Sequence, residues 1–227
     1  MSKSIEHKPI EISRRAILRL GLVSSVSLFL THLVAASSEL ATGFTPTQTE
    51  GPFYPQTPQV DKDLNLTLIS GHKQRAQGQV IEVQGQVVDE NGKLIANALV
   101  DIWQANTWGR YRHKKDSNSA PLDPNFQGWG QVLTDGNGFY HFITILPGAY
   151  PAAPDWIRPP HIHFKVSASG FMPLTTQMYF AGQALNDSDL ILNRLTVDEQ
   201  QRVIAQPQAN SGGMRYVFNI MLRVTDL

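Results

Sequence analysis

The amino-acid sequence predicts an all-β protein, an antiparallel β-sandwich with long loops and a short helix near the C-terminus. Three observations predict it: runs in which apolar residues recur at every second position, turn sequences of the Asn-Gly type, and one helix-capping pattern. Hydrophobic residues make up 41% of the 227 residues, and cysteine is absent. The core must therefore form by apolar packing without disulfide bonds.

The first strand is predicted over residues 80–88, where polar and apolar residues alternate. Gly85 lies inside this run and predicts a β-bulge. The pair Asn91-Gly92 follows and is a strong hairpin signal, because both residues tolerate the positive φ angles of a tight turn. The strand is expected to resume over 98–103.

Further strands follow a second turn, the Asp-Gly-Asn-Gly sequence at 135–138. This turn leads into a strand over 139–143, which must end before Pro147-Gly148. β-Branched and aromatic residues predict three more strands, over 161–166, 175–180 and 216–224.

One helix is predicted to begin after Thr196, because Glu199 stands three residues later and completes a capping box. The Pro-rich stretch before the first strand contains no regular pattern and predicts an extended arm over 37–79. The β-sandwich is then expected to occupy 80–227.

The first 36 residues have the composition of a targeting segment: a polar, basic start, an apolar run over 21–33 and small residues over 34–36. The sequence Ser-Arg-Arg-Ala-Ile-Leu at 13–18 resembles the twin-arginine export signal. We therefore expect a periplasmic protein without stable membrane insertion after processing, because the apolar run is shorter than the ~20 residues that span a bilayer. An ordinary Sec signal or an uncleaved anchor is the alternative.

The charge balance narrows the possible functions. Lys plus Arg and Asp plus Glu both number 19, so the basic excess of a nucleic-acid-binding protein is missing. The absence of cysteine excludes thiol catalysis and cysteine-ligated metals. Any metal must be bound by His, Tyr, Asp, Glu or backbone oxygen.

The sequence His161-Ile162-His163 lies within a predicted strand. Alternate residues of a strand face the same side about 6.6–6.8 Å apart, so both imidazoles can reach one ion while Ile162 points away. Alone, such a pair is at least as typical of packed or surface histidines. A site of two histidines and one carboxylate would need an acidic partner, for which Asp155 is the nearest candidate.

Three motifs surround this pair in a fixed order: W-Q-A-N-x-x-G-R-Y-R-H from Trp103, P-G-x-Y-P from Pro147 and R-P-x-H-I-H-F from Arg158. Together they resemble the intradiol ring-cleavage dioxygenases, in particular the iron-bearing subunit of protocatechuate 3,4-dioxygenase. A weaker likeness extends from Thr49 to the strand that ends at Phe180.

This resemblance implies one mononuclear, non-haem Fe(III) ion per chain. Carried over by motif, its expected ligands are two tyrosines and two histidines, namely Tyr111, Tyr150, His161 and His163. Phenolates are hard anionic donors that suit a ferric ion, and the metal's charge lowers the pKa of the phenol. Without the motifs, each tyrosine is explained equally well as a core aromatic with a hydrogen-bonded hydroxyl.

The resemblance also implies the reaction, which inserts O₂ into a catechol and cleaves the ring between its two hydroxyls to a cis,cis-muconate-type product. Tyr150 is expected to accept a substrate proton, Arg158 to stabilise negative charge on the substrate, and Gln177 to lie near the substrate. A protocatechuate-like substrate is expected. The expected assembly is a homo-oligomer or a pairing with a related subunit.

Other aromatic residues receive weaker predictions. Trp103 is expected either beside the ligands or in the core, and the segment 51–54 is expected to form a pocket wall. Trp108, Trp129 and Trp156 line either a pocket or the core.

One departure from the family concerns the short segment between Tyr150 and His161. It carries Ala152 and Ala153 where protocatechuate enzymes have a Trp-Arg pair. Because this segment lies close to the substrate in the family, the difference bears on which catechol fits.

A non-catalytic alternative comes from secreted prealbumin-like or carboxypeptidase-regulatory-like β-sandwich modules, which the patterns over 83–100, 134–139 and 146–150 also fit. Such a module explains Tyr150 as an anchor between sheets. It leaves the motifs around Tyr111 and His161 unexplained.

Overall fold

The computed structural model describes residues 43–57, 61, 63–210 and 212–225. The targeting segment predicted over 1–36 lies outside these residues. The strands in chain order are β1 (Val80–Val88), β2 (Leu99–Trp103), β3 (Trp129–Leu133), β4 (Phe139–Ile145), β5 (Tyr150–Ala153), β6 (Trp156–Arg158), β7 (His161–Ser167), β8 (Leu174–Phe180), β9 (Ile204–Ala205), β10 (Pro207–Asn210), β11 (Gly213–Val217) and β12 (Ile220–Met221).

Two five-stranded sheets enclose the main hydrophobic core. The first sheet has the order β10-β11-β1-β12 with β4 also paired to β1, and the second has the order β3-β2-β7-β8-β9. Alternate residues of both sheets point inward; Val83 and Phe142 from the first meet Ile102, Ile162 and others from the second in one buried cluster. The predicted β-sandwich is confirmed.

Pairing within the sheets is mostly antiparallel, but β1 pairs in parallel with β11 and β12, and β8 pairs in parallel with β9. These parallel pairs were not predicted, because a two-residue period gives the face of a side chain but not the direction of the neighbouring strand.

The bulge predicted at Gly85 is wrong. The register between β1 and β4 runs without interruption, with Gly85 opposite Tyr140. A Cβ atom at this position would lie 1.9 Å from the carbonyl oxygen of Phe218. Glycine is therefore required because the chain between β11 and β12 passes directly over it.

The turn at Asn91-Gly92 forms, but the predicted hairpin does not extend from it. The Asp89 carboxylate accepts the backbone N–H groups of Asn91 and Lys93, and one isolated bridge joins Val88 to Leu94. The chain then crosses to the other sheet, so β1 and β2 do not pair.

The C-terminal region contains more and shorter strands than predicted. The strand expected over 216–224 is split into β11, β12 and an isolated bridge between Phe171 and Val224. The predicted helix is confirmed as α1 (Val197–Val203), with both hydrogen bonds of the Thr196–Glu199 capping box present. Two short 3₁₀ helices, Ala184–Ser188 and Leu192–Arg194, connect β8 to it.

The described part of the predicted arm packs along the sandwich. Gln48 donates its N–H to the carbonyl of Thr175 at 2.8 Å, which places the arm beside β8. Further on, Leu66 is fully buried in the main core. Among the described residues no helix is long and apolar enough to span a membrane.

Candidate metal centre

β7 places the two histidines on the face of the second sheet that points away from the main core. Its register sets His161 beside Tyr179 of β8, and His163 between Gln177 of β8 and Trp103 of β2. The two imidazole centroids are 4.9 Å apart. Ile162 between them is fully buried in the main core, as the alternation predicted.

Two loops bring the tyrosines to the same place. Tyr111 follows β2, and Tyr150 begins β5. Between these loops Gly109 adopts φ +78°, and a Cβ atom there would lie 2.1 Å from the carbonyl oxygen of Ala149. The absence of a side chain lets the loops touch. Consequently the rings of Tyr111 and Tyr150 meet edge to face with their centroids 5.5 Å apart.

Polar residues of the first motif hold the loop that carries Tyr111. The Asn106 side chain accepts the N–H groups of Trp108 and Arg110 at 3.0 Å and donates to the carbonyl of Pro121 at 2.8 Å. Asp116 accepts the N–H of Tyr111 itself at 2.6 Å. Asn106 within the motif and Asp116 three residues beyond it thus fix the loop that carries Tyr111.

The structure brings all four expected ligands into one cluster, hereafter the Tyr-His cluster (Tyr111, Tyr150, His161 and His163). Each is at least nine-tenths buried. The hydroxyl of Tyr111 lies 3.4 Å from Nε2 of His161, and the rings of Tyr150 and His161 are 5.6 Å apart. The ring centroids of Tyr111 and His163 are 6.2 Å apart.

Both histidines are neutral in this environment. Burial first, and the nearby positive charge of Arg158 in addition, holds the pKa of His161 well below 6.5, and the same causes act on the pKa of His163. Nδ1 of His161 donates to the carbonyl of Pro159 at 2.7 Å, because a carbonyl can only accept. Nε2 therefore carries the lone pair and faces the cluster.

Both tyrosines are protonated phenols in the metal-free protein. Burial raises the pKa of Tyr111 well above 10, and it raises the pKa of Tyr150 against an opposing effect of Arg158. A multiply charged cation within the cluster would reverse this balance and favour the phenolates.

The donor set fits a ferric ion. Two phenols that ionise beside a cation and two neutral imidazoles supply four donors and two negative charges, which offset most of a triple positive charge in a buried site. His163 also has a buried Nδ1 without a hydrogen-bond partner among the described residues. In the part of the chain that the structure describes, no three His, Asp or Glu side chains cluster, so a metal here would need the tyrosines.

Arg158 is the cation beside the cluster and is 3% exposed. Its Nη1 lies 3.0 Å from Nε2 of His161, and its Nη2 donates to Gln177 at 2.8 Å and to the hydroxyl of Tyr179 at 2.9 Å. Nε of the guanidinium forms an ion pair with Oδ2 of Asp189 at 3.0 Å. Gln177 thus contacts Arg158, as well as donating to the carbonyl of Thr49 at 3.0 Å.

Aromatic rings enclose the cluster. Trp103 stacks on His163 with a centroid distance of 4.8 Å and an angle of 9° between planes, so it lies beside the expected ligands. From the arm, Phe53 stacks on Tyr111 at 4.6 Å. These contacts restrict ring rotation and help to bury the cluster.

A pocket of about 630 Å³ is lined by Tyr150 and His163 of the cluster and by Arg158 beside it. It lies within the usual size range of small-molecule sites. Its other walls come from the arm, the loop after Tyr111, the β5–β6 hairpin and a 3₁₀ segment, namely Thr49, Gly51, Pro52, Phe53, Lys115, Asp116, Ser117, Asn118, Ser119, Pro151, Ala152, Trp156 and Ile191.

The weaker predictions have mixed outcomes. Residues 51–53 line the pocket, whereas Tyr54 turns away and donates to Asp101 at 2.8 Å. Trp156 also lines the pocket, but Trp129 is buried in the aromatic packing and Trp108 is 37% exposed. Asp155, the nearest carboxylate in sequence, is exposed in the β5–β6 turn.

Sequence reasoning missed Asp189 and assigned no role to Tyr179. Asp189 belongs to an ordinary Asn-Asp-Ser-Asp loop sequence, and no local pattern places it near Arg158. Tyr179 stands two residues after Gln177 on the same strand, so alternation alone would have placed both on one face.

A family model described as a dioxygenase matches residues 49–224 of the chain. The protocatechuate 3,4-dioxygenase beta chain of Burkholderia cepacia is 44% identical over 156 residues, which cover 66% of this chain and 66% of that relative. Catechol 1,2-dioxygenase 2 of Acinetobacter lwoffii is 37% identical over 153 residues, covering 62% of this chain and 52% of the relative. The chain thus spans about half to two thirds of the length of these relatives.

Solved structures have the same fold. The dioxygenase domain of a dioxygenase carbohydrate-binding protein fusion from Streptomyces sp. SirexAA-E aligns with a TM-score of 0.62 and 28% identity, over 81% of this chain and 100% of the domain. Catechol 1,2-dioxygenase of Acinetobacter radioresistens aligns with a TM-score of 0.63 and 26% identity, over 82% of this chain and 64% of that chain.

Proposed function

Because this chain belongs to the intradiol ring-cleavage dioxygenase family, we propose that it inserts O₂ into a catechol and cleaves the ring between the two hydroxyl-bearing carbons. The observation that carries the proposal is the Tyr-His cluster, buried beside Arg158 at the inner end of a pocket of about 630 Å³. A non-catalytic binding module is not favoured, because the family match includes the motifs that such a module leaves unexplained.

The ferric ion would be held by Tyr111, Tyr150, His161 and His163. When bound, it would supply a Lewis acid that draws electron density from the catechol and makes the ring reactive toward O₂. In the reaction C₆H₆O₂ + O₂ → C₆H₆O₄, the muconate-type product keeps every carbon atom of the catechol and gains both oxygen atoms of O₂. No external reductant is needed.

The protein's own residues handle protons and charge. Tyr150 lines the pocket and, as a phenolate, is placed to accept a proton from a substrate hydroxyl. Arg158 lines the same pocket and offers a fixed positive charge in a water-poor site, where it stabilises negative charge that develops on the ring. Gln177 accepts from Arg158 and helps to fix its orientation.

The proposed substrate is protocatechuate-like, a catechol that carries an acidic substituent. The 44% identity to a protocatechuate 3,4-dioxygenase beta chain supports this choice. Lys115 also lines the pocket, and it forms no ion pair among the described residues. Asp116 beside it is engaged, since its carboxylate accepts the N–H groups of Tyr111 and Asn118. An acidic substituent would therefore find an unpaired cation.

We also propose that the chain is exported through the twin-arginine route and works as a homo-oligomer or with a related subunit. The sequence over 13–18 supports the first statement. The beta-chain name of one relative supports the second, which sedimentation analysis of the purified protein tests directly.

The proposed reaction is tested with iron-loaded protein, O₂ and a panel of catechols with and without a carboxylate. We expect O₂ uptake and formation of a muconate in equal amounts, fastest with the carboxylated members. A yellow semialdehyde product would contradict intradiol cleavage. The absence of both iron uptake and turnover would contradict the proposed activity altogether.

A further inference from the structure

Asp189 binds the edge of the Arg158 guanidinium that carries Nε and Nη2. The carboxylate is fully buried and accepts Nε of Arg158 at 3.0 Å on one oxygen and Nη2 at 3.3 Å on the other. Oδ2 of Asp189, which accepts Nε, makes no other hydrogen bond among the described residues. The pair is bidentate, which fixes the plane of the guanidinium as well as its position.

The opposite end of the same guanidinium faces the cluster. Nη1 lies 3.0 Å from Nε2 of His161, the lone-pair nitrogen of an expected ligand. Because Nε and Nη2 are engaged by Asp189, Nη1 is the group left to point at the cluster. The direction of Nη1 thus depends on the Asp189 carboxylate.

The protein backbone in turn fixes the Asp189 carboxylate. Its Oδ1 accepts the N–H groups of Ile191 at 3.1 Å and Leu192 at 2.8 Å. It also lies 3.4 Å from the hydroxyl of Tyr179, which contacts Arg158 and Gln177. These contacts orient the carboxylate independently of Arg158.

Asp189 also balances the charge that the mechanism uses. A guanidinium that is 3% exposed would be costly to bury alone, and Asp189 is the carboxylate within ion-pair distance among the described residues. The pair keeps a charged donor in a dry site without a net buried charge.

We propose that Asp189 is a positioning residue for the intradiol reaction, one that aims Nη1 of Arg158 at the metal-binding cluster. The proposal rests on the proposed function of the chain. Asp189 does not line the pocket, so it acts through Arg158 and not on the substrate.

The first test is Asp189→Asn, which keeps an oxygen for the backbone N–H groups but presents an amide to Nε of Arg158. We expect kcat per bound iron to fall about 10- to 100-fold with KM changed less than about twofold. The matched control is Asp123→Asn, another buried carboxylate that accepts backbone N–H groups, here from Gln77 and Asn125, outside the pocket. Parental kcat in Asp189→Asn would overturn the proposal.

A double-mutant cycle separates positioning from a general structural role. In an Arg158→Gln background, adding Asp189→Asn should change kcat less than about twofold, because the group that Asp189 positions is already gone. Losses that multiply in the double variant would show that the two residues act independently and would overturn the proposal.

Thermal unfolding of the metal-free proteins gives a readout that does not depend on activity. Each single variant leaves one buried charge unpaired, whereas the double variant leaves none, so the double variant should unfold at a temperature no lower than either single variant. An additive fall in the double variant would contradict the ion pair. If Asp189→Asn fails to fold, recovery of folded protein in the double variant supports the pairing, and failure to recover contradicts it.

The two proposals fail in different ways. If the unmodified iron-loaded chain does not turn over any catechol, the proposed function fails, while the unfolding cycle still reports on the ion pair. If the unmodified chain is active and Asp189→Asn is equally active, only the role of Asp189 fails.

Discussion

At the scale of single residues, the buried hydroxyls of two tyrosines distinguish the candidate metal centre from an ordinary histidine pair. Tyr111 and Tyr150 are 3% and 7% exposed, and burial raises the pKa of both phenols. Burial therefore favours the neutral phenols in the metal-free protein, and a bound cation would convert them into strong anionic donors. The same environment keeps His161 and His163 neutral and therefore able to donate lone pairs.

The Tyr→Phe substitutions test the proposed ligands. Tyr111→Phe and Tyr150→Phe remove one oxygen donor each, so we expect iron-loaded protein to lose or shift its visible tyrosinate-to-iron band. For Tyr150→Phe we also expect kcat to fall about 100-fold or more, because a proton acceptor is lost. Absorption spectra and O₂ uptake measure these effects.

The matched control is Tyr140→Phe, a tyrosine that is 1% exposed in the main core and donates to the carbonyl of Phe218. Its band and kcat should match those of the unmodified protein. An unchanged visible band in both Tyr111→Phe and Tyr150→Phe would contradict the ligand assignment.

Lys115→Met tests the proposed preference for an acidic substituent. Removal of the pocket cation should raise KM for a carboxylated catechol about two- to fivefold, the range of a partly solvated ion pair, and leave KM for catechol itself unchanged. Steady-state kinetics with both substrates provide the measurement. Lys114→Met, one residue away and outside the pocket lining, is the control. Equal changes for both substrates would argue against charge recognition.

At the scale of elements, the site is assembled where strands end. β7 presents the histidines, whereas Tyr111 lies in the loop after β2 and Tyr150 begins β5. The arm covers Tyr111 through Phe53. The pocket walls are likewise loops and the β5–β6 hairpin. A rigid sheet thus holds the paired donors while variable segments shape the substrate space.

Helix α1 offers a test of one element away from the cluster. Thr196→Ala removes the hydroxyl that accepts the N–H of Glu199 and donates to the Glu199 carboxylate, and it keeps the backbone N–H that also donates to that carboxylate. The substitution should lower Tm by about 2–4 °C with kcat unchanged. Differential scanning calorimetry measures the shift, and Thr196→Ser, which keeps the hydroxyl, should stay near the parent. A fall in kcat equal to that of a cluster variant would contradict the separation of helix and site.

The same substitution has a predictable pH dependence. The backbone and side chain of Thr196 lower the pKa of Glu199 below its ordinary 4.5, so the folded state favours the ionised carboxylate. This contribution is present above pH 4.5 and is lost as the pH falls through the lowered value. Thr196→Ala removes the share of this contribution that comes from the hydroxyl and keeps the share from the backbone N–H. The Tm difference between parent and Thr196→Ala should therefore shrink in acid.

At the scale of the whole molecule, the sandwich separates two environments. One face of β7 builds the apolar core through Ile162 and Phe164, while the other carries the polar, titratable cluster. Alternation along a single strand accomplishes this separation. A protein that folds and acquires its metal before export suits the twin-arginine route proposed from residues 13–18.

Replacement of Arg14-Arg15 by Lys-Lys tests that route in the full-length precursor. The twin-arginine pathway reads the paired arginines, so the precursor should accumulate in the cytoplasm, as measured by immunoblots of cell fractions. Arg19→Lys, outside the pair, is the control and should leave export intact. Unchanged export of the Lys-Lys variant would indicate the Sec pathway instead.

Much of the architecture was predictable because it depends on local patterns. The period of two located β1, the turn sequences preceded β2 and β4, and β-branched and aromatic residues located β7 and β8. The Thr196–Glu199 pair located the first residue of α1. The bulge at Gly85 was predicted wrongly because the reason for that glycine is Phe218, which is remote in sequence. The short strands β9 and β10 escaped prediction, and β11 and β12 were predicted as one strand over 216–224, because their pairing and not their composition defines them.

By itself, the sequence determined the fold class, the family and the residues expected as metal donors, since strand period, turn residues and motif spacing are properties of neighbouring positions. Tertiary structure alone decided that Tyr111, Tyr150 and the histidine pair meet, that Lys115 reaches the pocket, and that Asp189 pairs with Arg158. The physical reason is that each of these contacts joins segments far apart in the chain. Their meeting depends on how two sheets and several loops pack, which no local pattern encodes.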